Sequence, residues 1–180
     1  MTALACGEQI VLRALTAKDL VTLEAWDADP EIEELMGRKF APESPTEWFR
    51  RMLRDTRARA MAIETASGRL IGELELAQIN WRSGSAELRI CIGEKDCWSL
   101  GLGTDALRSA LHLAFGPWGL RTIYLRVFAN NGRAIRAYEK CGFRREGYLP
   151  PSERRGDPDG VVLMSLTCQR FARYSGAVVG

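Results

Sequence analysis

The sequence predicts an α/β protein: a mixed, mostly antiparallel sheet with helices on both faces. Three observations carry this. Residues 85–143 read strand, glycine loop, helix, strand, helix, the order of a β–α–β crossover. Three strands joined by short turns lead into that unit, and short turns make strands antiparallel. The chain has 180 residues, 46% hydrophobic and 27% charged, which fits one domain over residues 1–180 with a full core.

The elements follow in order. Ile10 to Leu15 reads as a first strand. Thr16-x-x-Asp19 resembles a capping box with Asp in place of Glu, and a helix over Ala17 to Trp26 follows, with Leu20, Leu23 and Trp26 near one face. Pro30 opens a second, acidic helix that Gly37 breaks. Ser44-Pro45-Thr46-Glu47 is a stronger start, with Ser as N-cap, Pro at the first position and Glu at the third. Trp48, Phe49, Met52 and Leu53 then form an apolar stripe, and Arg50, Arg51, Arg54 and Arg57 a solvated face.

Ala60–Thr65 and Arg69–Ile79 are strands turned at Ser67-Gly68. A turn near Ser83-Gly84 leads to the strand Ser85–Ile92. The glycine loop Trp98–Gly103 opens a helix from Thr104 to Phe115, and Thr122–Phe128 is the next strand. Asn130-Asn131 begins the helix that carries Tyr138, and Gly142 ends it. Arg144–Leu149 and Val161–Leu166 form a last pair around a loop with Pro150, Pro151, Gly156, Pro158 and Gly160. The tail after Tyr174 is expected to be loose.

Glycines at a strand-to-helix turn leave backbone N–H groups free at the positive end of a helix dipole, where a phosphate can approach closely. Taken alone, that reading competes with a simple turn. Here it does not stand alone. Trp98-x-x-Gly101-x-Gly103, Asn131-Gly132-Arg133-Ala134 and Tyr138-Glu139-Lys140-Cys141-Gly142-Phe143 together resemble the acetyl-coenzyme A site of the GNAT N-acetyltransferase superfamily, and more narrowly its RimJ/RimL type. Many members have Arg or Gln at the place of Trp98.

The resemblance implies a GNAT fold in which the strands 85–92 and 122–128 splay apart and the pantetheine arm fills the gap. It implies acetyl-CoA as donor, with no metal. The expected cofactor contacts are the backbone of Ile90, Cys91 and Ile92 for pantetheine and of Trp98, Ser99, Leu100, Gly101, Leu102, Gly103 and Thr104 for pyrophosphate. Asn131 would hydrogen-bond the cofactor as well as cap its helix. Tyr138 would give a proton to the departing thiolate. Packed strand, turn, cap and core roles are the bland alternatives for the same residues.

Acyl transfer also needs a proton acceptor. Glu87 is the expected general base, through a water, with Glu73 and Glu75 on the neighbouring strand as weaker candidates. Cys91 and Cys141 could act as nucleophiles, but no histidine is placed to activate either. Direct transfer is the expectation, with both read as small buried hydrophobes. His112, the single histidine, is given no role.

Composition excludes other classes. A net charge of +2 without a basic tail leaves no nucleic-acid footprint. Five cysteines without a C-x-x-C pair argue against zinc and for reduced thiols, hence a cytoplasmic protein. No run approaches a membrane span, and no basic start and apolar run precede Leu4-Ala5-Cys6. A dinucleotide site would want G-x-G-x-x-G after the first strand of a parallel sheet.

The expected acceptor is a protein or peptide N-terminal α-amine. Roughly a tenth to a sixth of α-amines are neutral at pH 7, against about one lysine in 2,500. The acidic run Asp27, Asp29, Glu31, Glu33 and Glu34 would attract a cationic acceptor if it faced the site. The alternatives are a small-molecule amine, a polyamine or aminoglycoside, and a non-catalytic acyl-CoA-binding module. The oligomeric state is left open, a homodimer being one possibility.

Overall fold

Alternating apolar residues put two kinds of core on one sheet. In the computed structural model, which describes residues 3–36, 44–152 and 159–175, eight strands run in the order β1-β2-β3-β4-β5-β6-β8-β7. They are β1 Ala3–Cys6, β2 Ile10–Ala14, β3 Arg59–Thr65, β4 Leu70–Asn80, β5 Ser85–Ile92, β6 Thr122–Phe128, β7 Arg144–Leu149 and β8 Val161–Thr167. The helices are α1 Leu20–Asp27, α2 Pro30–Met36, α3 Pro45–Met52, α4 Leu102–Phe115, α5 Gly132–Lys140 and α6 Cys168–Ser175. All strand pairs are antiparallel except β5 with β6. The sheet is the expected mixed, mostly antiparallel one, with one parallel pair among the described strands.

Side chains alternate across a strand, so each strand serves both cores. From β5, Ala86 and Leu88 enter the larger core with Leu107 and Leu111 of α4. Cys91 enters the smaller core with Leu23 and Trp26 of α1 and Trp48 and Phe49 of α3. Burying side chains of this size contributes about 1.5–3 kcal/mol each.

Helix starts follow their caps. Ser44 Oγ accepts from the Glu47 N–H at 3.3 Å, and Glu47 Oε2 accepts from the Ser44 N–H at 3.1 Å. Asp19 Oδ2 accepts from the Thr16 N–H at 2.8 Å, and the Asp19 carboxylate also takes two hydrogen bonds from Arg13, each 2.8 Å. Residues 17–19 form a 3₁₀ turn, so the α-helix begins at Leu20, not Ala17.

Three features differ from the expected elements. β1 was not expected. It pairs with β2 through a turn whose Glu8, Gln9 and Ile10 N–H groups all donate to Asp105 of α4. The chain after Thr167 forms α6, which was not expected: Thr167 Oγ1 accepts from the Arg170 N–H at 3.3 Å, and Phe171 buries against His112 and Phe115, while the tail beyond Ser175 lies outside the described residues. Leu53 falls at the C-cap of α3 and is 68% exposed, so it leaves the apolar stripe. Arg50, Arg51, Arg54 and Arg57 are exposed as expected. The break at Gly37 and the Gly156–Pro158 part of the last loop lie outside the described residues.

Candidate active site

The parallel pair β5–β6 is short. It holds for Ser85↔Thr122, Ala86↔Ile123 and Glu87↔Tyr124, and then stops. Beyond Glu87, β5 stays paired to β4 up to Ile92 while β6 stays paired to β8 up to Phe128, so the two strands part as expected. A sheet edge left open presents unpaired N–H and C=O groups, and an extended ligand can satisfy them as a strand would. A cavity of about 460 Å³ fills this wedge, lined by Leu88, Ile90, Cys91 and Ile92 on one side and Val127 and Phe128 on the other.

One end of the cavity is built for anions. Gly101 is the N-cap of α4, with φ +85°. A side chain at that φ is strained, so glycine belongs there. Ser99, Gly101, Gly103 and Thr104 line the cavity here. Arg133, Arg136 and Lys140 face it from α5, at positions i, i+3 and i+7 of one helix face. Trp98 lies at the start of the loop. Its indole N–H donates to the Ile92 carbonyl at 2.6 Å, and the Arg133 guanidinium lies 3.7 Å from its ring centroid.

Tyr138 comes to the same cavity from α5, which Asn131 caps by accepting from the Ala134 N–H at 3.0 Å. Asn131 Nδ2 donates to the Leu35 carbonyl at 3.2 Å, tying α5 to α2. Burial pushes the Tyr138 phenol up, with Cys91 and Cys141 adding to it, so the phenol keeps its proton at neutral pH. Burial likewise raises Cys91, helped by Glu73 and Asp27, and pushes Cys141 up to about 11. Neither thiol is set up as a nucleophile, because the thiolate is the reactive form.

The cavity wall also carries acids. Asp27 of α1, Glu33 of α2 and Glu73 and Glu75 of β4 all line it. Strand pairing sets Glu73 opposite Cys91 and Glu75 opposite Arg89. Glu75 lies 3.6 Å from Arg89. Glu73 Oε2 is buried without a hydrogen-bond partner among the described residues. Burial first, then Glu75 and Asp27, push its carboxyl up to about 8.

Glu87 is placed differently. It is 2% exposed and absent from the cavity wall. Arg126 reaches its Oε1 through Nε and Nη2, each at 2.7 Å, while Arg89 Nη2 at 2.9 Å and Gln78 Nε2 at 3.3 Å reach Oε2. These donors take up the lone pairs that a relayed proton would need. The expected base is therefore not brought to the cavity, whereas Glu73 and Glu75 are.

The acidic run divides. Asp27 and Glu33 face the cavity, but Asp29 and Glu31 each lie 2.8 Å from Lys95 Nζ, and Glu34 is exposed. Of the expected cofactor residues, Ile90, Cys91, Ile92, Trp98, Ser99, Gly101, Gly103, Thr104 and Asn131 line the cavity; Leu100 and Leu102 do not. Leu100 is 60% exposed, and Leu102 packs into the larger core. The cationic wall of α5 was missed, although its helical spacing is visible in the sequence. Among the described residues, no cluster of metal-ligating side chains forms and no helix is long and apolar enough to cross a membrane.

Comparison with known proteins fits this geometry. The profile of the GNAT acetyltransferase domain matches residues 9–144. The chain is 30% identical over 158 residues to the spermidine N(1)-acetyltransferase of Vibrio cholerae, an alignment taking in 79% of this chain and 83% of that protein. The crystal structure of spermidine N-acetyltransferase from Vibrio cholerae in complex with CoA and spermine superposes with a TM-score of 0.80 at 30% identity, covering 91% of this chain and 98% of that one. A dodecameric structure of the Vibrio cholerae enzyme superposes at 0.74, also at 30% identity, with 92% of this chain and 96% of that one covered. These relatives are named for spermidine, so the narrower RimJ/RimL resemblance is not supported.

Proposed function

The chain belongs to the GNAT acetyltransferase family, and from that premise we propose that this N-acetyltransferase passes the acetyl group of acetyl-CoA to a primary amine of a polyamine. The observation that carries the acceptor is the set of carboxylates Asp27, Glu33, Glu73 and Glu75, gathered from three elements on the wall of the same cavity. A cation with several ammonium groups can meet several carboxylates at once. A peptide terminus offers one charge. The relatives named for spermidine support the same choice, and the N-terminal α-amine gives way to it.

Acetyl-CoA supplies an activated thioester; the protein must hold it, free the amine and protonate the leaving sulfur. The open edge of β5 and the glycine loop hold it. Glu73 takes the proton of the acceptor ammonium, so that the nitrogen lone pair can attack the carbonyl carbon as the C–S bond breaks. Tyr138, still protonated, gives its proton to the sulfur; the second proton, which the nitrogen sheds as the amide forms, restores the phenol, and Glu73 returns the first to solvent. A primary ammonium has a pKa near 10.4. Passing its proton to a carboxylate at the ordinary 4.5 would be uphill by about 8 kcal/mol, and to one near 8 by only about 3.3 kcal/mol. A raised Glu73 thus makes an amine of this class usable.

The test is a competition read by mass spectrometry and thiol release. Spermidine and spermine, an aminoglycoside, and short peptides with free and blocked N-termini compete for limiting acetyl-CoA. The polyamines should turn over fastest. Faster turnover of the aminoglycoside or of any free-terminus peptide overturns the acceptor assignment.

A further inference from the structure

We propose that Arg133, stacked on Trp98, is a clamp for the cofactor's pyrophosphate and supplies the positive charge that the glycine loop lacks. This rests on acetyl-CoA as the donor. Residues 98–104, Trp-Ser-Leu-Gly-Leu-Gly-Thr, contain no lysine or arginine. Backbone N–H groups and a helix dipole give that loop partial charges only. A pyrophosphate carries full negative charges. The nearest cation that lines the cavity beside the loop's first residue is Arg133.

The stacking geometry suits the task. The Arg133 guanidinium carbon lies over the Trp98 ring at 3.7 Å from its centroid, a contact that uses none of the arginine's N–H donors as hydrogen bonds. Those donors can meet phosphate oxygens two at a time. Trp98 makes a rigid platform, because its own N–H is fixed to the Ile92 carbonyl at 2.6 Å. Arg133 makes no hydrogen bond or ion pair with another described residue, although it lies against the cavity wall. Glu31, whose charge it feels, is already engaged by Lys95 at 2.8 Å. Burial lowers the Arg133 pKa from its ordinary value, which is the mark of a cation short of counter-charge. An anion at the loop removes that shortage.

Arg133→Gln, Trp98→Leu and the double variant test this by calorimetry with CoA and with dephospho-CoA, at low and moderate salt. Arg133→Gln should weaken both ligands about tenfold, on the order of 1.4 kcal/mol. It should also flatten the salt dependence of binding and leave thermal unfolding of the free protein unchanged. Trp98→Leu should weaken both ligands less, and the double variant should fall little below Arg133→Gln, since the platform acts through the arginine. Wild-type affinity in Arg133→Gln, or full additivity of the two changes, overturns the clamp. A loss confined to CoA overturns it too, by moving Arg133 to the 3′-phosphate. A wild-type protein that binds neither ligand overturns the donor reading and the clamp together.

Discussion

At the scale of residues, a carboxylate is defined by what touches it. Glu73 and Glu87 sit on adjacent strands and on the same face of the sheet, yet one has an unpartnered buried oxygen and the other is enclosed by two guanidinium groups. Glu73 makes a pH prediction of known sign. Its folded pKa of about 8 lies above its ordinary 4.5, so between those values the folded state binds more protons than the unfolded one. Its contribution to stability is therefore intact below about 4.5 and is lost as pH rises toward 8. Urea melts of Glu73→Gln should show a flatter pH dependence across that range than wild type. In kinetics, the wild-type kcat/KM should rise with a midpoint near 8, and this limb should vanish in Glu73→Gln but persist in Glu87→Gln. A limb that survives in Glu73→Gln removes the residue as proton acceptor. The sequence shows three glutamates of the right parity. It does not show the strand register, and the register decides which of them meets Cys91 and the cavity.

At the scale of elements, the loop-to-helix joint separates two jobs of glycine. Gly101 needs its positive φ, and a Cβ there meets nothing within 4 Å. Gly101→Ala should cost on the order of 1 kcal/mol in stability through backbone strain alone. A Cβ on Gly103 would lie 3.4 Å from Ile92 Cγ1, an ordinary contact, so Gly103→Val should fold. It should nonetheless weaken CoA about tenfold, or 1.4 kcal/mol, by filling the approach to the cradle. Calorimetry beside denaturation checks both. Unchanged CoA affinity in Gly103→Val would take that residue out of the cradle.

Elements with their own local signals were legible. The Ser44 capping box, the strand Thr122–Phe128 and the glycine loop are read where they stand. Elements held by distant partners were not. β1 is four residues, mostly exposed, and its turn is fixed by Asp105, about a hundred residues on. α6 has a local signal that was passed over, Thr167, whose Oγ1 accepts from the Arg170 N–H at 3.3 Å, but its burial depends on Phe171 meeting His112 and Phe115.

At the scale of the whole molecule, the sheet is two blocks with a narrow joint. β1 to β5 form one antiparallel block, and β6, β8 and β7 the other. Among the described residues, the backbone pairing that joins them is β5–β6, which ends at Glu87↔Tyr124 and is backed by the ion pair of Glu87 with Arg126 across it. That places the buried Glu87 pair at the apex of the wedge, as a structural tie that holds the strands together where they begin to part. A ligand lying along β5 as a further strand would bridge the blocks beyond the apex. Binding to the folded state alone stabilises by about 2.7 kcal/mol at a hundred times Kd. For a chain of this length that corresponds to a rise in Tm of roughly 5–11 °C. Hydrogen exchange locates the effect: CoA should slow exchange of β5 amides beyond Glu87 as well as in the glycine loop. Slowing confined to the glycine loop would mean that the pantetheine arm does not enter the wedge, and the two blocks would then be joined by their protein contacts alone.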